Sequence, residues 1–343
     1  MPLLYGLGAL AVRTGISRCA VAANARKVRS FPSLRGGSTM TAVRPTQAED
    51  LYPTRTVRES VPFDRRHPVV WGKDIDGPLG PGQLAAYERD GYLSFDAVLT
   101  EAEVAECLQE IQRLTCDRSL RDSGRVVPEP DSDSVRSVFE VHVLSDAFAR
   151  VIHSDTLAGI ARQLLGSEVY VHQSRVNLKA AFDGSKFGWH ADFETWHSED
   201  GMPVPRALSL SIALTDNTPL NGSLMIIPGS HHTFVPSVGE TPPGYHTLSL
   251  LGKNLPAGPA DRSAVTALAR ERGLHQCTGA AGSAVAFDCN CLHASAGNVS
   301  PFPRTNLFVV YNSVENRIGT PYAAPGPRPP YLASRDFTPV SHP

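Results

Sequence analysis

Past Gly166 the chain breaks into short runs rich in Val, Ile, Leu and Phe, separated by Gly, Pro, Asn and Asp, and this punctuation constrains the fold more than any other feature. The pattern predicts strands over Val169–Lys179, Ala207–Leu214, Ser223–Ile227, Ser283–Phe287 and Leu307–Asn312. Strands at this density belong to a β-sandwich or barrel, with any helices packed outside it. The 28 Gly and 28 Pro in 343 residues fit such a turn-rich chain, and a hydrophobic content of 41% suffices to fill its core. No internal repeat is present.

Helical signals precede this region. Leu84, Tyr87 and Glu88 lead to an Asp90-Gly91 turn, and a strand over Tyr92–Phe95 follows. Thr100-x-x-Glu103 reads as a capping box, behind which Val104, Cys107, Leu108, Ile111 and Leu114 recur at helical spacing. A second helix is expected over Thr156–Leu165, stopped by Gly166 in a left-handed cap. The stretch 241–272 reads as an exposed excursion plus a helix over Arg262–Arg272. Seven prolines between Thr320 and Pro343 predict an extended tail without a helix, lying over the surface as a wrap or lid.

Charge excludes one class of function. Lys plus Arg number 32 and Asp plus Glu 34, so there is no basic surplus to hold nucleic acid or acidic lipid. The distribution is nevertheless uneven. Residues 1–48 contain no acid and seven Arg or Lys, leaving 25 basic against 34 acidic residues in 49–343. We expect residues 1–50 to be a disordered leader, either a start assigned too early, since Met40 opens a plausible beginning, or a transit peptide. The first reading places the protein in the cytoplasm and the second in mitochondria. The six Cys form no C-x-x-C pair, which fits a reducing compartment, and Cys289 with Cys291 read as packing residues rather than thiolate ligands.

The chemistry concentrates in Phe187-Gly-Trp-His190-Ala-Asp192. On a strand, residues i and i+2 share a face, so His190 and Asp192 could turn an imidazole and a carboxylate to one ion. His293 follows 101 positions after Asp192, at the end of another expected strand. Two His and one carboxylate leave three open positions on an octahedron, the arrangement of non-haem Fe(II) oxygenases. Arg304 lies eleven residues further, beyond Pro301-Phe-Pro303, where a strand-turn-strand hairpin would return it beside the metal. A guanidinium there can grip one end of a dicarboxylate, and the spacing suggests a 2-oxoglutarate-dependent dioxygenase. His231 and His232 compete for the third-ligand role. Gln173, Arg175, Asn177 and Lys179 alternate along Val169–Lys179 as a polar row. Facing inward, the row makes Gln173 and Asn177 candidate ligand contacts; otherwise it faces solvent.

At these residues the sequence resembles the phytanoyl-CoA dioxygenase superfamily, and within it the ectoine hydroxylase family. The likeness is carried by His172 to Lys179, Trp189 to Pro203, Arg206 to Ser209, Leu214 to Asn217, Pro228 to His231, Pro301 to Asn306 and Tyr311 to Ser313. It extends from about Asp50 to the C-terminus and is loose over 241–272. The resemblance implies a mainly β chain with flanking helices and a double-stranded β-helix (jelly-roll) core, in one domain over 51–343. It further implies Fe(II) held by His190, Asp192 and His293, and 2-oxoglutarate anchored by Arg304 with Asn177 and Ser295 helping. Gln173, Thr195, Trp196 and Phe308 would meet the substrate, and Arg328 in the tail would close over it. With O₂, the implied reaction hydroxylates ectoine to 5-hydroxyectoine and releases succinate and CO₂, in a protein expected to be a homodimer. A dioxygenase acting on another small zwitterion such as proline or a betaine, and a non-catalytic metal-binding barrel, are the alternatives.

Overall fold

The computed structural model describes residues 49–129, 134–251, 255 and 257–341, all within the compact unit Gln47–Pro343. Among them the chain lays down β1 (Phe63–Asp64), β2 (Tyr92–Phe95), β3 (Val126–Pro128), β4 (Val135–Phe139), β5 (Val169–Lys179), β6 (Phe187–His190) and β7 (Ala207–Ala213). Then come β8 (Leu224–Ile226), β9 (Thr233–Phe234), β10 (His275–Cys277), β11 (Ala284–Asp288), β12 (His293–Ser295) and β13 (Arg304–Ser313). A seven-stranded sheet has the order β2-β11-β7-β13-β5-β4-β3, and a four-stranded sheet the order β10-β8-β12-β6. Every pairing is antiparallel. This is the expected double-stranded β-helix core with flanking helices.

Strand alternation divides the large sheet into two unlike faces. Leu208, Leu210 and Ile212 of β7 and Leu307, Val309 and Tyr311 of β13 bury against Val104, Cys107, Ile111 and Leu114 of the helix Glu101–Cys116, and against Leu157, Ile160 and Leu164 of the helix Asp155–Leu165. Each such side chain contributes about 1.5–3 kcal/mol on leaving water. The capping box forms: Thr100 Oγ1 accepts from the Glu103 N–H at 3.3 Å, and the Thr100 N–H donates to Glu103 Oε2 at 2.8 Å. Gly166 ends the second helix at φ 58°, where a Cβ would lie 2.7 Å from the Trp71 carbonyl group. The excursion 241–272 holds a helix at Arg262–Arg272 and another at Tyr245–Leu251 that the sequence did not signal.

The other face looks toward the small sheet. Phe308 packs there with Leu224 and Ile226 of β8 and Cys277 of β10. Register sets Phe308 beside Arg175 and Ser211, Asn306 beside Asn177, and Arg304 beside Lys179. Gln173, Asn177 and Lys179 are buried, so the polar row faces inward and not toward solvent. Opposite Val310 and Tyr311, β5 carries a bulge that sets His172 outside the regular pairing.

The tail runs extended and mostly exposed or half-buried, as expected, but it is also anchored in the interior. It has no helix or strand over the described residues 320–341, yet Leu332 and Ala333 are fully buried. The cause is a free sheet edge. Regular pairing of β4 with β5 stops at Phe139 opposite Arg175, and Glu140 N–H still donates to the Ser174 carbonyl at 2.7 Å, so the β5 residues before Ser174 have no strand partner on that side among the described residues. The tail supplies one: Ser334 N–H donates to the His172 carbonyl at 2.9 Å and Val340 N–H to the Val169 carbonyl at 2.8 Å. The leader assigned to residues 1–50 falls outside the described residues except for its last two. Among the described residues no helix is long and apolar enough to cross a membrane.

Candidate active site

His190 and His293 are direct cross-strand partners, on β6 and β12 of the small sheet, with ring centroids 4.2 Å apart. Asp192 does not share a strand face with His190 as the i, i+2 spacing suggested. β6 ends at His190, and Asp192 opens the helical turn Asp192–Thr195 after the extended Ala191. The carboxylate still arrives. Asp192 Oδ1 lies 3.6 Å from His190 Nε2 and 3.8 Å from His293 Nε2.

One donor atom from each of the three residues lies within 4.8 Å of the others, the only such group among the described residues. Both histidines are oriented by backbone: Nδ1 of His190 is 2.8 Å from the Gly188 carbonyl and Nδ1 of His293 is 3.1 Å from the Cys291 carbonyl. A proton on each Nδ1 leaves both Nε2 lone pairs facing the carboxylate. Burial, then the neighbouring His190, pushes His293 down to about 4, so it is a neutral donor at neutral pH. Burial works against the Asp192 anion, but His293 and His190 outweigh it and hold its pKa low. Ser209 Oγ donates to Asp192 Oδ2 at 3.0 Å, which fixes one oxygen and presents the other. Burial opposes a charge on His190, but Asp192 outweighs it and raises that pKa, so a cation binding here would displace the proton from its Nε2. Two imidazoles and one carboxylate on one side of a shared point then fit a divalent iron. His231 is excluded from this group; its Nε2 lies 3.1 Å from the Glu88 carbonyl. Cys289 and Cys291 are thiols whose pKa burial raises well above the ordinary value, and neither joins the donor group.

Arg304 reaches the inner face by a different route from the one expected. β12 belongs to the small sheet and β13 to the large one, so the connection through Pro301-Phe-Pro303 crosses between sheets and forms no hairpin. Arg304 is 2% exposed. Its Nη1 donates to the Gly222 carbonyl at 2.6 Å, while its Nε is buried without a partner. No carboxylate pairs with it among the described residues, and burial pushes it down to about 10. Beside it, Lys179 Nζ donates to the Ser185 carbonyl at 2.8 Å and the Ala296 carbonyl at 2.5 Å. Burial, then Arg304 and Arg136, push that ammonium down to about 7. A buried cation with an unused donor fits a bound carboxylate. Of the two expected helpers, Asn177 Oδ1 accepts from Ser137 Oγ at 2.8 Å, and Ser295 is buried two residues beyond His293 on the same strand.

The remaining candidates form a second group. Gln173 Nε2 donates to the Leu332 carbonyl at 2.6 Å, and its Oε1 accepts from Arg175 Nη1. The Arg175 guanidinium lies 5.0 Å from the centre of the Phe308 ring, a cation–π contact. Its charge is felt at His190, Asp192 and His293, which links this group to the candidate metal-binding one. Trp196 is buried edge-on to His172 at 5.1 Å. Arg328 is held by Asp200.

A family model for phytanoyl-CoA dioxygenase matches residues 87–306, more than half of the chain, from just before β2 to the start of β13. The chain belongs to the phytanoyl-CoA dioxygenase family. Two relatives within reach of this phytanoyl-CoA dioxygenase family member are the ectoine dioxygenases of Nocardia farcinica and Streptomyces coelicolor. They are 51% and 50% identical over 296 residues, 86% of this chain and 97% and 98% of theirs. Its fold is similar to crystal structures of EctD from S. alaskensis. One, with bound Fe, has 41% identity and a TM-score of 0.76 over 86% of this chain and 98% of that one. Another, with 2-oxoglutarate and 5-hydroxyectoine, has 42% identity and a TM-score of 0.75 over 86% and 96%.

Sequence reasoning passed over the frame that holds this phytanoyl-CoA dioxygenase site. Arg55, at φ 58°, donates through Nε and Nη2 to both oxygens of Glu194 at 2.9 and 2.8 Å and through Nη1 to Glu199 at 2.7 Å. Thr54 Oγ1 adds a bond to Glu194 at 2.7 Å. These carboxylates flank Thr195 and Trp196, so a segment about 140 residues upstream fixes both. Thr195 itself is half-buried; its hydroxyl accepts a long contact, 3.5 Å, from Arg55 Nη2, and its carbonyl accepts from Ser198 Oγ at 3.2 Å. Residues Tyr52 to Arg55 stand in the sequence as a Tyr-Pro-Thr-Arg segment, but nothing in their spacing announces an ion pair.

Proposed function

We propose that this protein is an Fe(II)- and 2-oxoglutarate-dependent dioxygenase that hydroxylates ectoine to 5-hydroxyectoine, releasing succinate and CO₂. The observation that carries the reading is the convergence of His190, Asp192 and His293 in a chain that matches ectoine dioxygenases over nearly their full length. His190, Asp192 and His293 hold the metal, which when bound lets O₂ and 2-oxoglutarate react together. Arg304 grips the distal carboxylate of 2-oxoglutarate, and Asn177 and Ser295 bound its pocket. Gln173, Thr195, Trp196 and Phe308 orient ectoine, a zwitterion with an amidinium ring suited to an aromatic wall, while Arg328 meets its carboxylate. The buried tail residues Leu332 and Ala333 keep water from this wall. Residues 51–343 act as one catalytic domain, in a cytoplasmic homodimer that uses neither nucleic acid nor membrane.

Purified protein supplied with Fe(II), 2-oxoglutarate and ectoine tests the reading, with succinate and hydroxyectoine measured together. Equal yields of the two support it. Succinate without hydroxyectoine, or turnover of proline or a betaine in place of ectoine, refutes the substrate. In His190→Ala, turnover should vanish while the unfolding transition persists; a protein whose metal is purely structural would lose the transition as well.

A further inference from the structure

Arg328 stands in a segment without secondary structure, between Pro327 and Pro329, yet its side chain is only 9% exposed. A long side chain on such a segment has many rotamers, and something must select one. Asp200 does this. Arg328 Nε donates to Asp200 Oδ1 at 2.8 Å and Nη2 to Oδ2 at 2.6 Å, a side-on grip that uses two of the five guanidinium N–H groups. The end-on edge, Nη1 with the second hydrogen of Nη2, stays available for another carboxylate. Arg328 is felt at Arg175 and His172, the neighbours of Gln173 and Trp196.

Asp200 is itself fixed. It closes the π-helical turn Trp196–Asp200, and Gly201 follows at φ 77°, where a Cβ would lie 2.3 Å from the Thr320 carbonyl oxygen. Arg55 pins the adjacent Glu199. The bulged His172 places Nε2 3.5 Å from Asp200 Oδ2. The carboxylate is completely buried, more than a surface ion pair would need.

We propose that Asp200 is a positioning residue for the substrate: it holds the side-on edge of Arg328 so that the end-on edge receives the substrate carboxylate. The proposal rests on the reading that Arg328 meets that carboxylate. It gives the π-turn a purpose, since one short segment then carries both Trp196 and the residue that aims Arg328. It also gives the Arg55 clamp a reach beyond stability, through Glu199 to its neighbour.

Steady-state kinetics of Asp200→Asn, Arg328→Gln and the double variant, with ectoine and 2-oxoglutarate varied separately, test this. Asp200→Asn should raise KM for ectoine by about tenfold or more, with kcat within about threefold and KM for 2-oxoglutarate unchanged. The double variant should be no worse than Arg328→Gln by more than about twofold, because both act through one contact. A KM for ectoine unchanged in Asp200→Asn, or effects that multiply in the double variant, overturns the proposal. Should Asp200→Asn fail to fold, Arg328→Lys decides: it keeps the charge and the partner but has no second edge, so KM should rise as far, and a wild-type KM overturns the proposal. Wild-type protein that does not turn over ectoine refutes the functional reading instead.

Discussion

Replacing Arg304 by Met separates a cation kept for a ligand from one kept for the fold. Burial pushes Arg304 down to about 10 from an ordinary 12.5, so holding its charge in the protein interior costs on the order of 3 kcal/mol. Its hydrogen bond to the Gly222 carbonyl, at 2.6 Å, returns about 1.5–3 kcal/mol. These nearly cancel. Without co-substrate, Arg304→Met should therefore unfold within about 2 kcal/mol of wild type, whereas breaking a buried ion pair costs about 3–5 kcal/mol. Ligand changes the comparison. At a concentration of 2-oxoglutarate 100 times its Kd, the wild-type protein gains about 2.7 kcal/mol, roughly 5 °C in Tm for a chain of this size. The variant, without the fork proposed to grip the carboxylate, should gain almost nothing. Thermal unfolding with Fe(II) under anaerobic conditions, with and without 2-oxoglutarate, reads both quantities. An equal ligand-induced shift in the two proteins, or a loss of 4 kcal/mol or more in the unliganded variant, would refute the reasoning.

Two further outcomes are expected. His142 and His293 are pushed down to about 4, and His231 to about 3, by burial first and then by neighbouring histidines. Because the unfolded chain binds these protons from about pH 6.5 downward and the folded one does not, stability falls as pH drops from 6.5 toward 4. Urea unfolding of metal-free protein at pH 7 and pH 5 should differ by about 2 kcal/mol or more, and equal midpoints would show that these rings are already charged when folded. Arg55→Met leaves Glu194 and Glu199 buried without their cation, so it should cost about 3–5 kcal/mol in urea unfolding and abolish turnover near the melting range. A loss under 1 kcal/mol would mean that those carboxylates are neutral or hydrated.

Local rules recovered what has a local period. The capping box at Thr100, the stop at Gly166 and the extent of β5 follow from side-chain alternation and caps, and all three stand as the sequence suggested. The candidate metal-binding residues His190, Asp192 and His293 were legible through their chemical types, although the geometry assigned to them was not. Alternation along a strand could not reveal that the chain turns helical at Asp192, where the carboxylate is aimed by Ser209 from another strand. Arg304 was found for its charge and spacing, but the crossing between sheets depends on which strands pair, a long-range choice. Arg55 and Asp200 were invisible for the same reason. Their partners, Glu194 and Arg328, are 139 and 128 positions away, and an ion pair at that separation leaves no periodic trace.

The backbone bonds at the two histidines have a consequence for how the site tolerates change. Each imidazole takes its orientation from a peptide carbonyl two positions earlier, at Gly188 and at Cys291, and not from another side chain. A peptide oxygen is the same whatever residue carries it. Drift at those two positions therefore leaves the tautomers intact, and the geometry of the two imidazoles is inherited with the strand path itself. Sequence can vary around the centre, then, provided that β6 and β12 remain paired at His190 and His293.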